Sequence, residues 1–161
     1  MRSAIESFCS GFLALHSREA AAVAALDRIE EAVERCHRNF NQEDELFIHE
    51  ETIRFSGNPL FAEQFEHMRT KIEIFWWDVI EKENRREEVY WEHKEILDRM
   101  REGDFFGACQ ASSRHSEITL QRILEGALAA GRHPDAANGA GSIPVEKSTG
   151  LNPEIPGKER M

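Results

Sequence analysis

The sequence lacks the features of a disulfide-rich secreted protein and of a membrane protein. Its three cysteines, Cys9, Cys36 and Cys109, are widely spaced and form no CxxC pair. An odd number of scattered thiols argues against a disulfide framework and favours a reducing compartment, the cytoplasm. No apolar run approaches the roughly 18 residues that a membrane-spanning helix needs. The N-terminal segment has no basic cluster and no convincing cleavage site, so it is interpreted as an amphipathic helix rather than a signal peptide.

Positive charge is also scarce. The chain has 20 Lys and Arg against 30 Asp and Glu, which gives a formal net charge of −10. Such an acidic chain repels phosphate backbones, so no direct nucleic-acid binding by this chain is expected. The length of 161 residues, of which 40% are hydrophobic, fits one domain that can bury a sizeable core.

Strand-like alternation is missing, and apolar residues recur instead at helical spacing, so the sequence predicts an all-α fold. Ser17, Asn41, Asn58 and Asp104 are predicted N-caps, and Gly57 and Gly103 are predicted to end helices. The predicted helices cover approximately residues 2–15, 18–37, 42–56, 59–80, 85–102 and 105–130. The residues predicted to face inward include Phe8, Leu15, Val23, Leu60 and Leu124.

The composition changes near the C-terminus. From Gly131 onward glycine, proline, serine and asparagine accumulate, and the helical period is lost. Residues 1–130 are therefore predicted to form the helical, ligand-binding domain, and residues 131–161 are predicted to be a flexible tail.

A carboxylate and an imidazole share one face of the third predicted helix. Glu45 and His49 are four residues apart, a little more than one turn, so their side chains lie one above the other. Leu46 and Ile53 flank them at helical spacing, which directs this face toward the interior. A carboxylate and a histidine that both point into a helical core suggest a metal ion.

Two further histidines can complete this set. His93 and His115 fall on the apolar faces of the fifth and sixth predicted helices. A buried, hydrogen-bonded core histidine explains any one of the three, but three histidines together with a carboxylate favour a metal site between helices. Imidazole and carboxylate ligands suit a divalent transition metal such as Zn, Ni, Fe or Mn.

The sequence resembles a known family at these positions. An RxxxE pair at positions 2 and 6, the Glu45–His49 pair and SGN at 56–58 are similar to the FCD domain, the C-terminal effector domain of the FadR branch of GntR-type bacterial transcription regulators. The second half is similar through EHKEILDRMREGD at 92–104 and through His115, which lies 22 residues after His93. The resemblance covers approximately residues 2–124.

The resemblance implies an antiparallel bundle of six to seven helices with a buried metal. It also implies a cavity for a small organic effector, often a carboxylate, and a homodimer is the expected assembly. Carried over residue by residue, the metal ligands are Glu45, His49, His93 and His115.

The sequence departs from the family pattern in two ways. The family usually has aspartate where this chain has Glu45, and the extra methylene shifts the carboxylate by roughly one C–C bond length. That shift affects the geometry of the site and its preference among metals. In addition, the family's regulators carry a winged helix-turn-helix before this domain, so the chain is interpreted either as an excised fragment or as a natural stand-alone protein.

Three residues are predicted to contact the effector. Arg69 could bind an effector carboxylate through a bidentate contact, with a solvated surface arginine as the alternative. Trp76 and Tyr90 could form a wall against a flat ligand, with aromatic core filling as the alternative.

Two functions fit these observations. The first is a metal-dependent effector domain that senses a small organic acid for a transcription regulator. The second is a stand-alone metalloenzyme that uses the open coordination positions of a three-histidine, one-carboxylate site. An enzyme needs a second acid/base group near the metal, and the one neighbouring candidate, Glu92, is predicted to point away because of its position on the helix.

Overall fold

The computed structural model describes residues 1–69 and 85–129, which form six α-helices and no strands. The helices are α1 (Arg2–Leu15), α2 (Ala20–Arg38), α3 (Gln42–Phe55), α4 (residues 59–69, as far as it is described), α5 (Arg86–Glu102) and α6 (Phe105–Ala129). The predicted all-α fold is therefore confirmed. Trp76 and the predicted tail at 131–161 lie outside the described residues. None of the described helices combines the length and the apolar character needed to cross a bilayer.

The helix ends follow local sequence signals. The Asn41 side chain accepts a hydrogen bond from the Asp44 backbone N–H at 2.8 Å, which caps α3. Asp104 accepts from the Gly107 N–H at 2.9 Å at the start of α6. Gly103 ends α5 with φ = 79°, a left-handed conformation that glycine adopts without strain. These predicted caps are confirmed.

The start of α2 differs from the prediction. The helix begins at Ala20 rather than Arg18, and Glu19 rather than Ser17 occupies the N-cap position. The Ser17 N–H donates to the carbonyl of Ala14, so this residue still belongs to the turn that closes α1. Helix α2 can therefore begin only after that turn.

Helices α1 and α6 pack closely and run in opposite directions. Ser3 pairs with Ser113 at 2.9 Å, whereas Gly11 lies against Phe105 and Cys109 at the start of α6. A Cβ at position 11 would collide with the Cys109 sulfur. Glycine at this position therefore permits the close approach of the two helices.

Two clusters hold most of the apolar core of the described residues. The larger one unites α1, α2, α3, α5 and α6 and includes Leu13, Leu26, Ile29, Val33, Ile48, Leu97 and Met100. The smaller one joins α1, α3 and α4 and consists of Ile5, Cys9, Ile53 and Phe65. Several buried polar side chains lie in the same interior, and they include Glu6, Glu45, His49, His93, His115 and Ser116.

Five residues predicted to face inward are exposed among the described part of the chain. They are Phe8, Leu15, Val23, Leu60 and Leu124. For Leu124 the reason is helix length: α6 has 25 residues and α1 has 14, so at 1.5 Å per residue α6 extends well beyond the start of α1. For Phe8 the ring contacts Phe12 and Phe61 at the surface instead of entering the core.

Candidate metal centre

Four side chains from three helices converge inside the bundle. Helix α3 contributes Glu45 and His49, α5 contributes His93, and α6 contributes His115. Each residue offers one potential ligand atom, these atoms all lie within 4.8 Å of one another, and all four residues are buried. The structure thus brings together the four residues that the helical faces had indicated.

The atoms that face each other lack ordinary partners. Glu45 Oε1 lies 3.4 Å from His93 Nε2 and 3.7 Å from His49 Nε2. Glu45 Oε1, His93 Nε2 and His115 Nε2 are buried and have no hydrogen-bond partner among the described residues. An unpaired buried polar atom costs about 1–3 kcal/mol, so three of them at one point need a common explanation. A shared cation is such an explanation, because all three atoms can donate a lone pair.

The size of the cluster fits a transition metal with a small adjustment. Zinc–nitrogen and zinc–oxygen bonds are about 2.0–2.2 Å, so two ligand atoms on one ion are at most about 4.3 Å apart. The observed limit is 4.8 Å. An inward movement of about half an ångström, within the reach of side-chain rotation, is enough. The other carboxylate oxygen of Glu45 lies 3.7 Å from the Cys36 thiol, so Oε1 is the atom directed at the centre.

Burial sets the protonation of the centre. Desolvation raises the pKa of Glu45 to about 8. Desolvation also lowers the pKa of His115 to about 4 and the pKa values of His49 and His93 well below the ordinary value. At neutral pH the three imidazoles are therefore neutral, which is the form that binds metals.

Metal binding at neutral pH is expected to release close to one proton. With its pKa at about 8, Glu45 is mostly protonated at pH 7, and a carboxyl group must lose its proton to ligate. Zinc titrations by calorimetry in buffers of different ionisation enthalpy would measure the released proton. The release should fall toward zero at pH 9, where Glu45 is already ionised. A binding enthalpy that does not depend on the buffer at pH 7 would contradict this assignment.

A second carboxylate contacts His115 from outside the cluster. The Nδ1 atom of His115 lies 2.7 Å from Glu92 Oε2, and the other Glu92 oxygen accepts a hydrogen bond from Arg85 at 2.9 Å. Burial raises the pKa of Glu92, and the Arg85 guanidinium opposes that rise. The prediction that Glu92 points away was wrong, because α6 packs on the side of α5 that carries it. The sequence did contain a signal for this orientation: the apolar residues Val89 and Ile96 lie three residues before and four residues after Glu92, on the same face of α5, and both are buried.

A third carboxylate approaches the centre from α1. Glu6 Oε1 accepts from Arg2 Nε at 2.7 Å and lies 3.5 Å from His49 Nδ1. Glu6 Oε2 accepts from the Ser116 hydroxyl at 2.7 Å. The RxxxE pair that contributed to the family resemblance therefore forms an ion pair beside the candidate metal ligands.

Two of the predicted effector contacts, Arg69 and Tyr90, bind side chains of other helices. Arg69 donates to Glu50 at 2.8 Å, across to α3. The hydroxyl of Tyr90 donates to Glu34 at 3.1 Å, and its ring stacks on His37 with 3.8 Å between centroids. Both side chains thus contact residues of neighbouring helices, and their role as effector contacts remains a prediction.

A cavity of about 270 Å³ lies next to this network, between the start of α1, α4 and α6. Most of its lining is apolar, and Arg2 and Ser116, the two partners of Glu6, supply polar groups. The residues that line it are Met1, Arg2, Ser3, Met68, Ser116, Glu117, Leu120 and Ile123. The family resemblance implied a cavity but not its position, because the walls of this cavity come from three helices that are distant in the sequence.

Comparisons with known proteins agree with the fold. The family described as "FCD domain" matches residues 1–117, a range that includes all four clustered residues. A solved structure, the metal-free FCD domain of TM0439, a protein described as a candidate transcriptional regulator, superposes with a TM-score of 0.61 at 20% identity. The match covers 80% of this chain and 89% of the other, and at this identity it establishes the fold alone. Among curated proteins none matches.

Proposed function

Because this chain belongs to the FCD domain family, we propose that it is the effector domain of a GntR/FadR-type transcription regulator and senses a small organic acid with the help of a metal. The observation that carries the proposal is the buried cluster of three imidazoles and one carboxylate, in which the facing atoms of Glu45, His93 and His115 have no hydrogen-bond partner among the described residues. Such a donor set serves a divalent ion such as Zn, Ni, Fe or Mn.

The residues of the centre have separate tasks in this proposal. Glu45, His49, His93 and His115 would hold the ion, and Glu6 and Glu92 lie beside two of the imidazoles outside the cluster. A bound divalent ion would supply open coordination positions that a carboxylate oxygen can occupy. The enclosure of the site within the bundle limits access by water, which strengthens electrostatic contacts to a ligand.

The charge balance supports an anionic ligand. The buried and partly buried network contains three carboxylates, from Glu6, Glu45 and Glu92, and two guanidinium groups, from Arg2 and Arg85. Three negative and two positive charges, together with a divalent cation, leave one net positive charge. A buried net charge is costly, and one carboxylate would neutralise it.

The neighbouring cavity supports a small ligand with an apolar part. Its volume of about 270 Å³ is near the lower end of the range for ligand pockets. Arg2 stands at its boundary, paired through Nε with Glu6. A carboxylate with a short apolar body would therefore find both a cation and an apolar surface here.

The remaining parts of the proposal concern partners. We infer that the protein is a homodimer in the cytoplasm. It would pass the ligand signal to a DNA-binding module or partner, because the acidic chain itself is unsuited to phosphate contacts. The metalloenzyme alternative gains no support from Glu92, since both of its oxygens are engaged by Arg85 and His115.

A thermal-shift screen tests the proposed function. Organic acids with one to three carboxylates are compared with their neutral amides, in zinc and in chelator. The acids are expected to raise the melting temperature by several degrees in zinc, since a ligand at a hundredfold excess over its Kd adds about 2.7 kcal/mol. The amides should have no such effect, and chelator should abolish the effect of the acids.

Two arginine variants test whether the ligand binds beside Arg2. Arg2→Gln should weaken the response to acids, whereas Arg28→Gln should preserve it, because Arg28 is an exposed arginine that pairs with Glu51 away from the centre. Zinc affinity is measured for each variant so that a loss of metal is not mistaken for a loss of ligand. Equal shifts from acids and amides, or undiminished shifts in chelator, would refute the proposal.

A further inference from the structure

A histidine can ligate a metal with Nε2 only if the proton sits on Nδ1. In neutral imidazole one nitrogen carries the proton and the other a lone pair, and the hydrogen bond made by the first decides which form is present. The Nε2 atom of His115 is buried at the centre with no hydrogen-bond partner in the described part of the chain, and its Nδ1 lies 2.7 Å from Glu92 Oε2. Because a carboxylate accepts hydrogen bonds, this contact places the proton on Nδ1 and leaves the Nε2 lone pair directed at the centre.

Glu92 is itself held by a buried arginine. Its Oε1 accepts from Arg85 Nη2 at 2.9 Å, and Arg85 is only 5% exposed. The Nε of the same guanidinium donates to Glu88 at 2.8 Å. Arg85, Glu92 and His115 thus form a continuous chain from the start of α5 to the middle of α6, and the position of each group is fixed by the next.

The arrangement around His49 is similar but looser. Its Nδ1 lies 3.5 Å from Glu6 Oε1, longer than a good hydrogen bond. The closer partners of Glu6 are Arg2 and Ser116, both at 2.7 Å. Glu92 therefore restrains the orientation of the His115 ring more tightly than Glu6 restrains the His49 ring.

We propose that Glu92, anchored by Arg85, is the positioning residue that fixes the tautomer and orientation of His115 for metal binding. The role as a metal-positioning residue rests on the proposed function, but the tautomer it imposes exists whether or not an ion is bound. Outer partners of this kind typically contribute a factor of about 10–100 in metal affinity.

The decisive variant is Glu92→Gln in the full chain. Glutamine has the same shape, but its amide can turn an NH₂ group toward His115, which then accepts at Nδ1 and carries its proton on Nε2. Zinc affinity, measured by competition with a chelating indicator, is expected to fall about 10- to 100-fold. Glu6→Gln should cause a smaller loss. Glu51→Gln is the matched control, since Glu51 is also a carboxylate held by arginine, is more deeply buried than Glu92, and binds Arg28 and Arg54 outside the centre.

Nitrogen NMR of the histidine rings provides a second readout in zinc-free protein. Wild type should show His115 as a single Nδ1–H tautomer, and Glu92→Gln should show a mixture of tautomers. An Nε2–H tautomer in wild type, or unchanged zinc affinity in Glu92→Gln, would overturn the positioning role. If wild type shows the Nδ1–H tautomer but binds no zinc, the metal-dependent function fails while the tautomer assignment stands, so the two failures are distinguishable.

Discussion

His93→Ala is expected to abolish the stabilisation of this protein by zinc or nickel. His93 is buried, and its Nε2 at the centre has no hydrogen-bond partner within residues 1–69 and 85–129. In wild type, metal at a hundredfold excess over its Kd adds about 2.7 kcal/mol to the free energy of unfolding, and a chelator removes that gain. For a domain of this size the difference is several degrees in melting temperature. The variant should melt lower than wild type in metal and should respond little to chelator.

His37→Ala is the matched control for this experiment. His37 is partly exposed, contacts Glu87 at 2.9 Å and lies outside the cluster. Its removal should leave the response to metal and chelator intact. If wild type and His93→Ala melt alike with and without chelator, His93 is an ordinary core histidine and the metal centre does not exist.

Glu45→Gln is expected to have opposite effects in the absence and presence of metal. The pKa of Glu45 is raised to about 8 in the folded protein by burial, so the folded state retains a proton that the unfolded state releases. The contribution of this group to stability is therefore complete below its ordinary pKa of 4.5 and is lost as the pH rises through about 8. Glutamine carries no such pH-dependent penalty. In chelator the variant should gain stability over wild type as the pH rises from 5 to 9.

With metal present the order of stability should reverse. The neutral amide is a poorer ligand than a carboxylate, so Glu45→Gln should lose most of the zinc-induced rise in melting temperature. Melting curves of both proteins at pH 5, 7 and 9, with zinc or chelator, measure both effects. A stability difference between variant and wild type in chelator that does not change from pH 5 to pH 9 would contradict the raised pKa. A variant with the full zinc response would exclude Glu45 as a ligand.

The sequence was informative about helices and less informative about the contacts between them. Glu45 and His49 could be paired from their spacing, and His93 and His115 from the apolar faces that carry them, because these patterns are local. The orientation of α6 around α5 is a tertiary property, and it brought Glu92 against His115. For the same reason the position of the cavity beside Arg2 was not foreseen. Arg69 and Tyr90 were selected from residue type alone, and both contact carboxylates of neighbouring helices.

The convergence of α3, α5 and α6 makes the candidate centre a property of the whole chain. The four residues stretch from position 45 to position 115, and closing a loop of that length costs about 4 kcal/mol of chain entropy in the unfolded state. An unfolded chain offers an ion only scattered single ligands, since even the Glu45–His49 pair depends on a formed helix. An ion at this point would act as a removable cross-link between distant segments. Its occupancy would consequently report on the integrity of the entire bundle rather than on one local segment.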